Sequence, residues 1–253
     1  MNSDGTSDEI DFGNVLGSFV SAGDAGCEFS LSFWLKTTSV TSNIYSLNTV
    51  NGNNYRLGIL SEKPYFYYGG GAIITQFKKL DGSIAPDNID AFDGNWHHWF
   101  IYVPSGATPA GIDIANMKLY IDTDSAPFNS TAGSVDVANG QFNEFSIRGN
   151  TWGTFNGNIC EIAMWAESDQ TANLATIYGG GTPPDLTALS PTNWWRTGQK
   201  AEFGGTNWTV EDQTSSFDGT SVNMGVDSRH GNAPNSINNG ITVNIGSGDI
   251  VAP

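Results

Sequence analysis

Two adjacent histidines, His97 and His98, are the residues of this chain that most directly suggest acid–base or metal chemistry. Imidazole titrates near neutral pH and is a frequent metal ligand. The pair lies in the alternating segment 96–103, and neighbouring residues of a strand point to opposite faces. One metal ion therefore cannot take both side chains without distortion, and His230 is remote in sequence. We expect packing or hydrogen-bonding roles for both histidines.

Aromatic residues in the turn-rich parts of the chain could bind carbohydrate. Sugar sites stack an exposed ring on the pyranose face and place amide and carboxylate oxygens at the rim. The same rings could instead fill a core or an interface, and the sequence does not separate the two uses. The candidates are Tyr65, Tyr67, Tyr68, Trp152, Trp194 and Trp195.

The elements that must position these residues are β-strands. Residues 28–36, 96–103, 118–122, 142–148 and 158–165 alternate between apolar and more polar side chains. A period of two indicates strands that turn one face to a core. Shorter strand candidates lie at 8–13, 44–47, 55–60, 64–68 and 73–77, with a hairpin turn at Asn51-Gly52. The predicted fold class is therefore all-β.

One helix is predicted over residues 168–179. Ser168 is a good N-cap, and Asp169 lies in the first turn, where the helix dipole favours a negative charge. Leu174 and Tyr178 lie on one face, and Gly179 provides the stop.

Composition is that of a folded domain with an acidic surface. The chain has 253 residues, 38% hydrophobic and 12% aromatic, with 31 glycines and a net charge of −16. Nucleic acid and anionic membranes are poor partners for such a surface, because both require basic patches. The sequence has no apolar run of membrane-spanning length, and its polar start lacks the pattern of a secretion signal. We expect synthesis in a cytoplasm.

The chain divides at about residue 190 in this interpretation. Residues 1–190 form the strand-rich domain, and 191–253 comprise short strand-like pieces and an extended arm for attachment or oligomerisation. The chain has two cysteines, Cys27 and Cys160. Buried free thiols are favoured, although a bridge between them stays open.

Several motifs resemble the laminin-G-like branch of the concanavalin A-like superfamily. The resemblance covers roughly residues 3–180 and follows the order and spacing of the motifs. It implies an antiparallel jelly-roll β-sandwich with one short helix and an extended C-terminal tail. The motifs are Asp4-Gly5-Thr6-Ser7 through Gly13, Phe29–Lys36, Asp93–His98, Lys118–Asp122 and Phe155–Ile162.

Hydrolases that share this resemblance carry carboxylates in a Glu-x-Asp-x-x-Glu pattern on one strand face. The nearest match begins at Glu161, but Ala163 stands where Asp is needed. Glu167 is one residue beyond its expected position. No catalytic residue is therefore predicted, and Glu161 is expected to make a structural polar contact.

Calcium is the metal that the resemblance leaves open, because lectin relatives bind it at loop rims. Asp122 and Asp124 are the proposed ligands, with further oxygens at residues 87–90 and at Asp4 and Asp8. Turns also use Asp and Asn without any metal. No other cofactor is expected.

The domain, the start without a signal and the Asn/Gly-rich tail together resemble virion proteins of marine bacteriophages. The resemblance implies a non-enzymatic structural protein in the virion, such as a homo-oligomeric capsid decoration protein that contacts other virion proteins. A carbohydrate-binding adhesin or tail-fibre protein that contacts host glycans is the alternative. A divergent glycoside hydrolase is the third hypothesis, and it would need Glu161.

Overall fold

The computed structural model describes most of the chain, with gaps. The described residues are 1–4, 8–15, 28–39, 41–49, 54–60, 64–68, 73–76, 91–106, 113, 116–127, 142–148, 155–214, 217–228 and 234. Trp152 and Cys27 lie outside them, as do the Asn51-Gly52 turn, residues 87–90, His230 and most of the predicted tail. None of the described helices is long and apolar enough to span a membrane.

Sixteen strands run through the described residues. In chain order they are β1 (Asn2–Asp4), β2 (Glu9–Asp11), β3 (Phe29–Lys36), β4 (Thr41–Thr49), β5 (Asn54–Leu60), β6 (Pro64–Tyr68), β7 (Ile73–Gln76), β8 (Trp96–Val103), β9 (Lys118–Ile121), β10 (Asp124–Pro127), β11 (Phe142–Arg148), β12 (Asn156–Ala166), β13 (Asn193–Trp195), β14 (Ala201–Phe203), β15 (Trp208–Val210) and β16 (Gly219–Val222).

The strands form two antiparallel sheets, so the all-β sandwich prediction is confirmed. The first sheet, which we call sheet A, has seven strands in the order β1-β12-β3-β8-β9-β10, and β13 also pairs with β12. The second, sheet B, has nine strands in the order β14-β15-β16-β2-β11-β4-β5-β6-β7. The central neighbours of both sheets are not consecutive in the chain, and strands from both ends of the described chain occur in each sheet.

The main core lies between the sheets and is built from alternate residues of the long central strands. Phe33 on β3 faces Trp99 on β8 in register, and their rings stack with centroids 6.1 Å apart. Both are fully buried. Burial of a side chain of this size contributes about 1.5–3 kcal/mol, so a row of such pairs holds the two sheets together.

A second apolar cluster covers the outer face of sheet A. It explains why β3 and β12 are buried on both faces instead of showing the alternation of a half-exposed strand. Its buried members come from three strands of the sheet and from the segment that follows β12, which we call the strap (residues 167–192). They are Phe100, Ala163, Trp165, Leu174, Ile177, Leu186 and Trp194.

Hydrogen bonds hold both ends of the strap to the sheet. At its start, the Ser30 hydroxyl donates to the Ser168 carbonyl at 2.8 Å. At its end, the Thr192 amide donates to the Met164 carbonyl at 2.7 Å. The strap therefore forms an outer layer over the middle of sheet A.

The predicted helix lies within the strap and is shorter than its pattern suggested. A 3-10 turn occupies Thr171–Asn173, and the α-helix, α1, spans only Leu174–Tyr178. Ser168 is not an N-cap, since its hydroxyl instead accepts from the Gln170 side chain at 2.8 Å. Gly179 does end the helix, with the left-handed φ of 61° that a glycine tolerates at this position.

Residues beyond 190 belong to the same sandwich. β13 pairs with β12 in sheet A, and β16 pairs with β2 in sheet B. Trp195 and Trp208 are both buried in the main core. The strands on either side of residue 190 thus pair within the same sheets. The strand-like pieces expected beyond residue 190 are strands of the sandwich, and most of the expected arm lies outside the described residues.

Candidate functional site

The polar centre of sheet A is Glu161, which lies at a bulge in the middle of β12. The register between β12 and β3 shifts between Cys160 and Ala163, and Glu161 takes a left-handed φ of 51°. This local kink turns the carboxylate toward the chain that follows the strap. Bulges commonly redirect a side chain in this way.

Glu161 is buried and fully engaged by two partners. The Trp194 indole donates to its Oε2 at 3.2 Å, and Arg196 Nε lies 3.3 Å from Oε1 and 3.2 Å from Oε2. Burial raises the pKa of the Glu161 carboxyl, and the Arg196 charge opposes that rise. Arg196 also stacks over the Trp194 ring, 5.0 Å from its centroid. The arrangement is a buried ion pair, as expected for a structural contact.

The other positions of the hydrolase-like pattern do not complete an acid–base pair. Ala163 is buried in the apolar cluster beneath the strap. Glu167 follows the end of β12, six residues from Glu161 along an extended chain, which corresponds to roughly 20 Å at the usual strand rise. Retaining glycosidases hold their carboxyls about 5 Å apart. The chain therefore does not bring these two carboxylates together.

The two histidines point to opposite sides of β8, as predicted. His97 Nδ1 pairs with Asp122 Oδ2, and its Nε2 lies 3.2 Å from Asp93 Oδ1. The hydrogen bond from Asp122 is the main cause that raises the pKa of His97, with burial opposing it. This bridge ties β8 to the turn between β9 and β10.

His98 lies beneath the strap and is completely buried. Its Nε2 is 2.8 Å from the Ser32 hydroxyl, and its ring contacts both Trp34 and Tyr178, whose rings stack on each other. Its Nδ1 has no hydrogen-bond partner in the part of the chain that the structure describes. Burial lowers the pKa of His98 to about 4. The ring is therefore neutral at pH 7, and the packing role expected for it is the one observed.

Asp122 and Asp124, the proposed calcium ligands, lie where β9 turns into β10. Asp122 Oδ2 holds His97, and Oδ1 accepts the His98 backbone amide at 2.8 Å. Asp124 is exposed on the first residue of β10. The described residues contain no group of three or more His, Cys, Asp or Glu side chains that could hold a metal. The observed contacts instead give Asp122 a structural role in a tight turn.

Two of the predicted sugar-stacking residues are buried, which corrects that part of the prediction. Trp194 is 4% exposed and lies under Arg196. Trp195 is 0% exposed, packs on Phe12 with ring centroids 4.3 Å apart, and donates its indole N–H to the Phe217 carbonyl. Neither ring can present a face to a sugar, because each is already covered by protein.

The remaining sugar candidates belong to other parts of the chain than β13, which carries these two tryptophans. Tyr65, Tyr67 and Tyr68 belong to β6 in sheet B, and Trp152 lies outside the described residues.

Cys160 is a free thiol buried on β12, and burial raises its pKa, so it stays protonated and unreactive. Its pairing with Cys27 stays an open prediction.

Sequence reasoning missed a polar cluster at the edge of the strap. Tyr102 donates to Glu28 at 2.7 Å, and Lys118 lies 5.0 Å from the centre of the Tyr102 ring and 3.6 Å from Asp169 Oδ2. Tyr120 is half-buried beside this cluster. Register alternation along β8 and β9 is the signal that could have found it, since it places these side chains on one face.

Arg196 and Asp212 were also missed. Asp212 is buried and accepts from the Asn193 side chain and the Trp194 amide, at 2.7 and 3.0 Å. One signal in the sequence was available for Arg196: it is a rare cation in a strongly acidic chain and directly follows two tryptophans. A buried carboxylate near such a residue is the expected partner.

A comparison with protein-family models finds a match over most of the sandwich. Residues 4–175 match the laminin G family model described as "Concanavalin A-like lectin/glucanases superfamily". The match covers more than half of the chain, and the chain therefore belongs to this family. No curated protein sequence matches the chain.

Solved structures with a similar fold are distant in sequence. Domains LG4-5 of the mouse laminin α1 chain share 13% identity, with a TM-score of 0.42 over 64% of this chain and 40% of that one. A heptameric SAP-like pentraxin from Limulus polyphemus shares 13% identity, with a TM-score of 0.41 over 68% of this chain and 81% of that one. The binding domain of botulinum neurotoxin DC, solved with rat synaptotagmin II, shares 13% identity, with a TM-score of 0.41 over 76% of this chain and 48% of that one. The chain thus spans less than half of the laminin and neurotoxin chains.

Proposed function

We propose that this protein is a non-enzymatic structural component of a bacteriophage particle, a decoration protein that displays the sandwich on the capsid. The non-enzymatic part of the proposal rests on the burial and the pairing of Glu161. This carboxylate is 7% exposed, and Arg196 and Trp194 occupy its oxygens. A carboxylate held in this way stabilises the fold and has no access to a substrate.

The resemblance of the chain to phage virion proteins supports the location on a particle. The net charge of −16 supports a surface that stays soluble in salt. A sandwich in which both ends of the chain add strands to one sheet also suits a displayed module that must resist local opening.

The test is quantitative mass spectrometry of purified particles, combined with immunogold labelling of the same preparation. We expect many copies per particle, with label spread over the capsid. Label confined to the tail tip would refute decoration, and complete absence from particles would refute the virion role. Polysaccharide cleavage that Glu161→Gln abolishes would refute the non-enzymatic part.

An adhesin is the second candidate, and the cluster around Tyr102 and Tyr120 is the observation that favours it. Half-buried tyrosine rings beside Glu28, Lys118 and Asp169 combine an apolar face with hydrogen-bonding groups, as sugar sites do. A glycan array with wild-type protein and Tyr120→Ala tests it. A signal that the variant loses would support the adhesin, and an empty array would remove it.

A further inference from the structure

The outer face of sheet B at its C-terminal strands has an unusual composition. Glu202 on β14, Thr209 on β15 and Thr220 on β16 are exposed neighbours in one row of the sheet, because each is in register with the next. We call this surface the C-terminal face. It comprises Lys200, Glu202, Thr209, Glu211, Asp218, Thr220 and Val222.

A groove of about 670 Å³ runs along this face. Its volume lies in the range of about 300–1,000 Å³ that ligand-binding clefts occupy. Three carboxylates, from Glu202, Glu211 and Asp218, line it against the single amine of Lys200. The groove is therefore electronegative and suits a positively charged occupant.

Exposed apolar side chains occur in the chain segment that includes β16, and one of them, Val222, lies on the same face as the groove. Among the described residues, the exposed large hydrophobic side chains are Phe217, Val222 and Val226, at 40%, 41% and 66%. All three lie within ten residues of each other in the chain, and no other part of the described chain exposes a large hydrophobic side chain. Val222 is on β16 two residues beyond Thr220, so it shares the outer face with the groove. Grouped exposed apolar residues with a polar rim are typical of protein interfaces.

We propose that the C-terminal face docks this protein onto a basic surface of another virion protein that offers an apolar side chain to Val222. The inference rests on the proposed function and names the face by which the module would attach. Charge complementarity selects the partner, since three carboxylates face it and a second copy of this acidic chain would repel them. Such an interface is salt-sensitive.

Rebinding to stripped particles tests the proposal. Particles are freed of this protein with mild denaturant, and purified wild-type protein is added back at several salt concentrations. We expect saturable binding that weakens as salt rises. Val222→Asp should lower the affinity at least tenfold by placing a charge in the apolar contact. Glu202→Lys with Glu211→Lys should lower it at least tenfold and flatten the salt dependence.

Asp185→Lys is the matched control, because Asp185 is an exposed acid on the strap, beside the other sheet. It makes the acid-to-lysine change that each substitution of the double variant makes, and it should bind as wild type. Thermal unfolding of each variant confirms that the fold is retained.

The outcomes separate the two proposals. Failure of the wild-type protein to rebind overturns the virion role, and this inference with it. Wild-type binding that all variants match overturns only the C-terminal face. Binding that is insensitive to salt overturns the basic partner. Self-association of the free protein that Val222→Asp abolishes would identify a second copy as the occupant and also overturn the proposal.

Discussion

At the scale of single residues, the two partners of the Glu161–Arg196 pair differ in their access to water. The Glu161 side chain is 8% exposed, whereas that of Arg196 is 20% exposed. Loss of one partner from a buried pair is costly chiefly because it leaves the other charge without compensation. The more deeply buried partner therefore determines which substitution does more damage.

Arg196→Met should destabilise the protein by about 3–5 kcal/mol at pH 7, because it leaves a charged Glu161 unpaired. Glu161→Gln should cost only about 1 kcal/mol, since Arg196 can reach water. Burial already raises the pKa of Glu161, so the Arg196→Met penalty should shrink as pH falls and the carboxyl becomes neutral. Urea unfolding at pH 7 and pH 4 measures both effects. Equal costs for the two variants would contradict this account.

His98 should make the protein sensitive to acid. Its folded pKa of about 4 lies below the unfolded value of 6.5, so its contribution is present above pH 6.5 and is lost as pH falls through 4. The loss amounts to about 3 kcal/mol at 1.36 kcal/mol per pKa unit. His98→Gln removes the titration and keeps a polar partner for Ser32. The stability difference between wild type and variant should therefore narrow in acid, and a constant difference would show that His98 does not titrate there.

His97 should have the opposite effect on stability. Its pKa is raised by Asp122, so its contribution is fully present below pH 6.5 and is lost as pH rises through the folded pKa. His97→Asn should therefore destabilise the protein more at pH 6 than at pH 9. Thermal unfolding across this range measures the difference. A penalty that grows toward pH 9 would assign the stabilisation to neutral His97.

At the scale of the elements, alternation predicted the long strands well and the short ones poorly. β3, β8 and β12 were found because eight or more residues carry a clear apolar pattern. β14 and β15 have three residues each, pair with each other, and join the rest of sheet B only through β16, which pairs with the distant β2. That last pairing is not local, so the segment was interpreted as short strand-like pieces outside the main domain. Trp194 and Trp195 failed as sugar candidates for a related reason, since ring type alone does not reveal burial.

Gly157 on β12 is a glycine that the packing of strands requires. Its φ is 154°, and a Cβ at this position would overlap the Lys36 carbonyl oxygen on the neighbouring strand β3. Gly157→Ala should therefore destabilise the protein by more than about 2 kcal/mol, because backbone must move.

Gly204→Ala is the control for this substitution. The nearest atom to its Cβ would be the Asn207 carbonyl oxygen at 3.7 Å, an ordinary contact, so little change is expected. Chemical denaturation of both variants compares them directly. If Gly157→Ala changed the free energy of unfolding as little as Gly204→Ala, the strands would be able to move apart at Gly157 without loss of stability.

At the scale of the whole molecule, the C-terminal strands are needed for the core. A chain ending at residue 190 lacks Trp195, Trp208 and Val210 from the main core and removes the strand that pairs with β2. We expect it to lose cooperative unfolding or to aggregate, since several buried aromatic contacts disappear together. Near-ultraviolet circular dichroism and calorimetry test this. A truncated chain that unfolds cooperatively near the wild-type temperature would restore 190 as a domain boundary.

The pairing of β2 with β16 also sets the order of events during synthesis. Asp11 and Thr220 are partners although more than 200 residues separate them in the chain. The first strands leave the ribosome long before their neighbours exist, and sheet B cannot close until almost the whole chain is made. Pairing across such distances slows folding and prolongs the exposure of apolar edges. Refolding should accordingly be slow, and its yield should fall as the protein concentration rises. The protein's yield in a cell should depend on how well the unpaired strands are protected from aggregation until synthesis is complete.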